Sequence, residues 1–550
     1  MKLLRTLGER DDVFWAGIVL LALLVRGLGL ASAPLGPREA DLAYRAALLA
    51  RGESVAAGPG GWLTGLLSGL FFLTGPQDFW ARALPWLVGS LFPLLARAWE
   101  PWLGRSRARV LGLAWALDPA LVAASRLAWG PILAIAGLGL AYTLAWQGRP
   151  RLAGLVGLTA LGLGPGAALG WVFASALLLG WLRQGRPHAA RRTPCSHACL
   201  GAVLAGVLLG ITGWTRAPHA LGAWLEGLLA YVRTYALVGA PVLLSLAVLG
   251  PIGVLLLAAE RDRALPRALR VWLAAGLIAG AVWLVTPHRQ GADLAWVSVA
   301  LWPGVVAKLA SFARPARAPW WLGPGLTALA LGFVLFYAQW FAQLSFEGLT
   351  SRDRLLFSAV LLVSLLLWFF VFVYLASWLG SSVAFWGWRW FVLGVVIVWL
   401  GMGLRHARQT AWGTEWWQVP GSSPGVVALE QTMAQWGAWR FRRPDALPGA
   451  ILADDPVLRW YHVSRFPEMR PRLGLMRDEA PPAVLAWQPV DLPQLYRGQA
   501  FTLSMYPRPS SVPSWSWLAY EQVDTQPLRV ILFLREDLFW DARTDQAETR

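Results

Sequence analysis

Long apolar segments separated by short arginine-rich loops fill the chain up to residue 404, and no other feature constrains the fold as strongly. A helix needs about 20 apolar residues to cross the hydrocarbon core of a bilayer. Hydrophobic residues make up 57% of the 550 residues and charged residues only 14%, whereas soluble domains carry about 25% charged residues. The sequence therefore predicts a polytopic α-helical membrane protein with about 13 transmembrane helices.

The predicted spans follow the apolar segments. They are residues 13–31, 79–97, 109–125, 127–146, 152–164, 166–182, 198–213, 236–258, 269–286, 294–311, 319–344, 355–379 and 386–404. The first segment is long and has no clear small-residue cleavage site, so we expect it to remain as a span.

The distribution of arginine predicts the orientation. Alternate loops, at residues 97–109, 149–151, 183–192, 261–270 and 308–317, are strongly basic, as short cytoplasmic loops are. The other loops hold fewer arginines, mixed with Asp and Glu. We therefore expect the N-terminus in the cytoplasm, the tail outside, and the protein in the plasma (inner) membrane of a prokaryote.

Composition changes after residue 404, where long apolar runs stop and Pro, Asp and Glu become frequent. Residues 1–404 are thus predicted to form the transmembrane domain and residues 405–550 a small extracytoplasmic α/β domain. Residues 426–439 have helical spacing, while residues 450–453, 483–487 and 529–534 are short strand-like runs. We interpret Asp454-Asp455-Pro456 as a helix start rather than a cation site.

Several functional classes are disfavoured. The formal charge of +17 comes from arginines that flank apolar runs, so we predict no nucleic-acid partner. The chain has no phosphate loop, dinucleotide fingerprint, nucleophile elbow or zinc-protease motif. His188, Cys195, His197 and Cys199 share one loop, but their spacing is not that of a structural zinc site. No metal ligand is predicted, and no motif supports a divalent cation as cofactor.

The loop after the first predicted span carries two carboxylates, in Pro37-Arg38-Glu39-Ala40-Asp41-Leu42-Ala43-Tyr44. A carboxylate at a bilayer surface can act as a general base or hold a metal that binds a phosphate. The structural alternative is a helix that starts at Pro37 and places acidic residues near its N-terminus.

These residues also carry a resemblance. The first span, this acidic loop, Gly58-Pro59-Gly60-Gly61-Trp62 and Asp78-Phe79-Trp80-Ala81-Arg82 together resemble C-type (GT-C) membrane glycosyltransferases. Asp118-Pro119 before Ser125-Arg126, Thr286-Pro287-His288-Arg289, and Arg459-Trp460-Tyr461 extend the similarity along the chain. It is strongest for the protein O-mannosyltransferase-like and aminoarabinose-transferase-like branch (glycosyltransferase family 39-like), and within it for prokaryotic flippase activity-associated membrane proteins.

The resemblance implies a function. A hexosyl or mannosyl-type sugar would pass, with inversion, from a polyprenyl-phosphate donor to a lipid or protein acceptor on the outer face. The expected partners are thus membrane lipid, a polyprenyl-phosphate sugar and a glycan acceptor. Glu39 would be the base, aided by Asp41, and the remaining site residues would be Arg126, His288 and Arg289 on the donor phosphate and Tyr44 and Trp214 on the sugar or acceptor. Interfacial positioning of Arg and His and an aromatic belt are the structural alternatives for these last residues.

Two departures keep a second interpretation open. Arg38 stands where the related loops read Asp, and Gly130-Pro131 follow Ser125-Arg126 where relatives often carry an acid. Asp41 cannot simply replace the missing acid, since positions two apart on a helix face different directions. The alternative is a noncatalytic protein of the same fold that binds a polyprenyl-linked glycan or assists its flipping or assembly. A secondary transporter is disfavoured, because Asp118 is almost the only acid within a predicted span.

Overall fold

A computed structural model describes residues 2–53, 61–162, 167–183, 266–285, 293–309, 423–476, 479–507 and 525–539, with isolated positions between 325 and 404. The described part before residue 310 is almost entirely helical. Its helices are α1 (Lys2–Gly27), α2 (Pro37–Ala50), α3 (Gly61–Thr74), α4 (Asp78–Leu91), α5 (Leu95–Ala98), α6 (Glu100–Leu103), α7 (Arg105–Leu117), α8 (Pro119–Ser125), α9 (Ile132–Trp146), α10 (Pro150–Gly162), α11 (Ala167–Arg183), α12 (Arg267–Val285) and α13 (Leu294–Leu309).

The predicted spans that fall on described residues coincide with helices, to within a few residues at most ends. By length and apolar composition, Asp78–Ala98 could cross a membrane, and the pair Arg105–Leu117 and Pro119–Ser125, bent by 55°, would be a second such segment if it forms one span. Further apolar helices are shorter, among them Ile132–Trp146 and Ala295–Val306. The total of about 13 spans stays a prediction, because the spans at 198–213, 236–258, 319–344, 355–379 and 386–404 lie largely or wholly outside the described residues.

The segment between α1 and α4 is more ordered than the sequence indicates. A loop was expected over residues 31–61, with a helix from Pro37 as the alternative; the structure contains α2 there, and α3 begins at Gly61. The helix α2 buries Ala40, Ala43, Ala46 and Ala47, whose spacing of three and four residues places them on one face. This face packs on α3 and on the C-terminal domain, so α2 is an internal element of the molecule.

Proline and an acceptor side chain set the starts of several helices. Pro119 is the first residue of α8, and the Asp118 carboxylate caps it by accepting from Leu121 N at 2.7 Å. Proline fits the first helical position because its missing N–H would have no helical partner there. Asp118 also accepts from Trp302 Nε1 at 2.7 Å and from the Ser298 hydroxyl. The acid within a predicted span is therefore a helix cap that ties α8 to α13.

Buried aromatic side chains join the helices of the core. Trp99 contacts Trp115 and Trp272, with ring centroids 5.2 and 5.0 Å apart in edge-to-face geometry. Phe173 meets Trp272 at 5.0 Å. Such pairs stabilise by about 0.5–1.5 kcal/mol beyond the burial of their area, so this cluster links α7, α11 and α12.

The described tail, residues 423–539 with two gaps, forms a C-terminal domain. It contains α14 (Pro424–Phe441), β1 (Gly449–Ile451), α15 (Pro456–Ser464), β2 (Met469–Pro471), β3 (Ala483–Ala486), β4 (Tyr496–Pro507) and β5 (Thr525–Arg535). The strands form a five-stranded mixed sheet in the order β2-β1-β3-β5-β4. The pairs of β1 with β2 and β3 are parallel, and those of β5 with β3 and β4 are antiparallel.

The predicted elements of the tail are confirmed. The helix at 426–439 lies within α14, and the three strand-like runs correspond to β1, β3 and β5. The helix start at Asp454-Asp455-Pro456 is also confirmed, since Asp455 caps α15 by accepting from Val457 N at 2.7 Å. The long strand β4 was not predicted. Assignment of the whole range 405–550 to one domain on the outer face stays a prediction.

Candidate functional site

Glu39 lies in the first turn of α2 and points into the protein. Its carboxylate forms a bidentate ion pair with Arg82 of α4, with Nε to Oε1 at 3.0 Å and Nη2 to Oε2 at 2.7 Å. Both residues are almost fully buried, at 3% and 2% exposure. A buried carboxylate and guanidinium in this geometry stabilise each other strongly once both are removed from water.

Two backbone N–H groups complete the surroundings of Glu39. Ala128 N donates to Oε1 at 2.6 Å and Gly36 N donates to Oε2 at 3.0 Å. The second bond closes a turn at the start of α2. Each oxygen thus accepts one bond from the guanidinium and one from the backbone. The role of Glu39 as general base stays a prediction, and to take a proton the carboxylate would have to give up part of this network.

Arg82 also organises the chain between α1 and α2. Nη1 donates to Leu30 O at 3.0 Å and to Ala33 O at 2.7 Å, and Nη2 donates to Pro34 O at 3.1 Å. Carbonyl groups in a buried loop need such donors. Arg82 belongs to a segment that carries the resemblance, Asp78 to Arg82, but the sequence gave no indication that Arg82 pairs with Glu39.

Asp41 lies on the accessible face of α2. Its carboxylate pairs with Arg45, one turn later, with Nε to Oδ1 at 3.2 Å and Nη2 to Oδ2 at 2.8 Å. The side chains are 35% and 30% exposed. Tyr44, three residues after Asp41, is half-buried on the same side of the helix. Of the two predicted acids, Asp41 is the one that a solute can reach.

Arg38 lies one turn before Asp41 and is exposed. Its guanidinium carbon sits 5.5 Å from the centroid of the Trp129 ring, and Trp129 is buried at 1% exposure. This cation–π contact holds the guanidinium charge at the N-terminal end of α2, which is also the positive end of the helix dipole. None of the ion pairs formed by the described carboxylates involves Arg38. The face of α2 with Arg38, Asp41 and Tyr44 is the candidate functional site.

Arg126 is buried at 1% exposure. Nη1 donates to Arg26 O at 2.7 Å and to Leu28 O at 2.9 Å, and Nη2 donates to Gly29 O at 2.9 Å. These carbonyls lie at and just beyond the end of α1, so Arg126 caps that helix. Its predicted contact with a lipid phosphate stays a prediction, and a phosphate would have to replace these carbonyls as the acceptor.

Gly130 explains one departure from the related proteins. A Cβ atom built at Gly130 would lie 1.9 Å from the Ala124 carbonyl oxygen, far inside van der Waals contact. No side chain, acidic or otherwise, fits this position with the backbone as it stands. The acid that relatives often carry after the Ser-Arg pair is therefore excluded sterically from position 130.

The remaining predicted residues lie outside the described part of the chain. These are His288, Arg289 and Trp214, and their roles on the donor phosphate and the sugar stay predictions. Within the ranges that the structure describes, no three His, Cys, Asp or Glu side chains are grouped so that they could hold a metal ion.

No protein-family model and no curated protein sequence matches the chain. Two solved structures do: ArnT from Cupriavidus metallidurans bound to undecaprenyl phosphate, with a TM-score of 0.54, and the same protein in the apo state, with a TM-score of 0.51. In both cases the identity is 16%, and the alignment covers 95% of this chain and 98% of the other. The chain therefore has a fold similar to that of ArnT.

Proposed function

We propose that this protein is an integral-membrane glycosyltransferase that uses a polyprenyl-phosphate-linked sugar and transfers it to a lipid or protein acceptor on the outer face of a prokaryotic inner membrane. The observation that carries the proposal is the likeness, over 95% of the chain, to a structure solved with undecaprenyl phosphate. The accessible carboxylate, phenol and guanidinium groups on one face of α2 are the chemical support within this chain.

We infer that Asp41 is the general base. An Asp41 oxygen would accept the proton of an acceptor hydroxyl or amine as the acceptor oxygen or nitrogen forms a bond to the anomeric carbon of the sugar. The bond from that carbon to the phosphate oxygen would break, and the polyprenyl phosphate would leave with its electron pair. Attack opposite the leaving group inverts the anomeric centre. Asp41 is partly exposed, whereas the Glu39 carboxylate accepts four hydrogen bonds inside the protein. This difference favours Asp41 for this step.

We further infer that Arg38 contacts the leaving phosphate. A guanidinium binds a phosphate with two parallel hydrogen bonds, and that of Arg38 is exposed and fixed on Trp129. Arg45 would orient Asp41 through their ion pair. Tyr44 would contact the sugar or acceptor. His288 and Arg289 remain proposed phosphate contacts, and Trp214 a proposed sugar contact.

A noncatalytic binder of polyprenyl-linked glycan is the second candidate. It is favoured by one observation: Glu39, the acid that the resemblance marks as the base, accepts two bonds from Arg82 and one each from Ala128 N and Gly36 N. Such a protein would hold the lipid phosphate at Arg38 and release it unchanged.

The test is sugar transfer in membranes that contain a polyprenyl-phosphate sugar pool, measured by mass spectrometry of glycolipid and glycoprotein. The variants are Asp41→Asn, Glu39→Gln and, as a matched control, Glu53→Gln, whose carboxylate is exposed just beyond α2. We expect Asp41→Asn to lose transfer by about 10²- to 10⁴-fold and Glu53→Gln to retain it. Equal transfer by wild type and Asp41→Asn would refute Asp41 as base. No transfer by folded wild type that carries a co-purified polyprenyl phosphate would establish the binder.

A further inference from the structure

Asp78, the first residue of α4, is bound by the C-terminal domain. Its carboxylate accepts from Trp460 Nε1 at 2.7 Å through Oδ1 and from Arg465 Nη2 at 3.0 Å through Oδ2. Asp78 is 7% exposed and Trp460 is 1% exposed. A carboxylate buried without partners would be strongly unfavourable, so the two donors from α15 and the residue after it are what make this burial possible.

Arg465 joins Asp78 to a second acid inside the C-terminal domain. Its guanidinium also pairs with Glu430 of α14. Tyr461 OH donates to Glu430 Oε2 at 3.1 Å, and the guanidinium carbon of Arg465 lies 5.5 Å from the Tyr461 ring centroid. The cation is thus fixed from both sides, by one acid of each part of the molecule.

Two further contacts reach α15 from α2 and α3. Arg51, the C-cap residue that follows α2, donates from Nη2 to Val463 O at 3.0 Å. The Trp460 ring lies 5.7 Å from the Phe71 ring of α3. The helices α2, α3 and α4 therefore each contribute a contact to one short helix of the C-terminal domain.

The contacts at Asp78 act on the same helix that holds the candidate site. Asp78 precedes Arg82 by one turn of α4, and Arg82 fixes the start of α2 through Glu39. The end of α2 is fixed by Arg51 on α15. The start of the helix that presents Asp41 and Tyr44 is therefore held by α4, which the C-terminal domain contacts. Its end is held by the C-terminal domain itself.

We propose that Asp78, Trp460 and Arg465 are positioning residues, which lock the C-terminal domain onto α2, α3 and α4 and thereby hold the Asp41 and Tyr44 face of α2 in place for the acceptor. The docking follows from the contacts alone, while its catalytic consequence rests on the proposed glycosyl transfer.

The test measures hydrogen exchange by mass spectrometry in the full chain, on peptides covering residues 37–50 and 456–465. Trp460→Phe removes the N–H that Asp78 accepts while keeping a ring against Phe71, and Arg465→Gln removes the charge between Asp78 and Glu430. The matched control is Arg459→Gln, because Arg459 lies on the same helix but pairs with the exposed Asp454 of its own domain.

We expect exchange in residues 37–50 to be about tenfold faster in the variant that combines Trp460→Phe with Arg465→Gln. Arg459→Gln should leave it unchanged, and Arg465→Lys should restore part of the protection. Peptides from α9 and α12 serve as the internal standard for global folding. Unchanged exchange in residues 37–50 of the combined variant, with α15 itself intact, would overturn the proposal.

A transfer assay separates positioning from catalysis. The combined variant should raise the KM for the acceptor by about tenfold with a smaller change in kcat, whereas Asp41→Asn should lower kcat with no change in exchange. If exchange in residues 37–50 is faster in the combined variant but the wild type transfers no sugar, the glycosyltransferase function is refuted and the docking role stands. Normal transfer kinetics in a combined variant with fast exchange would refute the positioning role.

Discussion

Glu39 and Arg82 form a bidentate ion pair across 43 residues of sequence, with Nη2 to Oε2 at 2.7 Å and Nε to Oε1 at 3.0 Å, and both are buried. The pair joins the start of α2 to α4 at the point where α1 ends. The acid that the resemblance marks as a catalytic candidate is therefore also a structural element of the helical part of the chain.

Removal of either partner should destabilise the protein. Glu39→Gln or Arg82→Gln leaves a buried charge without its counter-ion, and such changes cost about 3–5 kcal/mol. We expect a clear fall in Tm, measured in detergent by tryptophan fluorescence, with Glu39→Gln/Arg82→Gln less damaging than the sum of the two single variants. Asp41→Asn is the control, since its pair with Arg45 is partly exposed and should contribute no more than about 1 kcal/mol. A Glu39→Gln protein as stable as wild type would refute the structural role.

The sequence indicated local features of this site better than its contacts. It offered a helix starting at Pro37 as the structural alternative for the acidic residues, because proline and nearby acids favour that position, and it separated Glu39 from Asp41 by helix geometry. It could not indicate that Arg82 binds Glu39 or that Trp460 binds Asp78, 382 residues apart. Those pairs depend on tertiary packing, which no local pattern encodes.

The helix α3 shows a different limit. Residues 61–74 contain three glycines, at positions 61, 65 and 69, and glycine lowers helix propensity by about 1 kcal/mol per residue. No span is predicted between residues 31 and 79. Packing against α2 and α4 outweighs that local preference.

Gly130 should not tolerate a side chain. Gly130→Ala places a methyl group against the Ala124 carbonyl oxygen, which is backbone and cannot rotate away. We expect a loss of about 3 kcal/mol, the upper end of the usual range for overpacking, measured as a lower Tm and a lower yield of monodisperse protein. Gly154→Ala is the control, because a Cβ there meets nothing within 4 Å. Gly130→Asp folding as well as wild type would show that an acid can be placed here after all.

Arg38 should contribute to the binding of a lipid phosphate. Arg38→Gln removes an exposed charge that no described carboxylate neutralises, so binding of undecaprenyl phosphate should weaken by about tenfold, the expected loss for one hydrogen bond to a charged group. The readout is the concentration of undecaprenyl phosphate that gives half of the maximal increase in Tm. Arg97→Gln is the matched control, since Arg97 pairs with Asp12 on an exposed surface outside the site. Equal affinities of Arg38→Gln and wild type would exclude Arg38 from the phosphate site.

His462 lies on α15, beside the contacts that dock the C-terminal domain. It is half-buried, and burial is the main reason that its pKa lies below the ordinary value of 6.5. The charges of Arg51 on α2 and of Arg470 lower the pKa further, while backbone hydrogen bonds at Phe466 and Met469 oppose the shift.

The depressed pKa of His462 makes docking sensitive to acid. Between the folded pKa and the unfolded value of 6.5, the unfolded chain binds the proton more readily than the folded chain. Stability from this group is therefore complete above the unfolded pKa and falls as the pH drops below it, where a protonated His462 also repels Arg51. Lowering the pH from about 7.5 to about 5.5 should speed hydrogen exchange in residues 456–465 beyond the intrinsic pH effect, and His462→Gln should remove that excess. An identical pH dependence in wild type and His462→Gln would show that another group controls it.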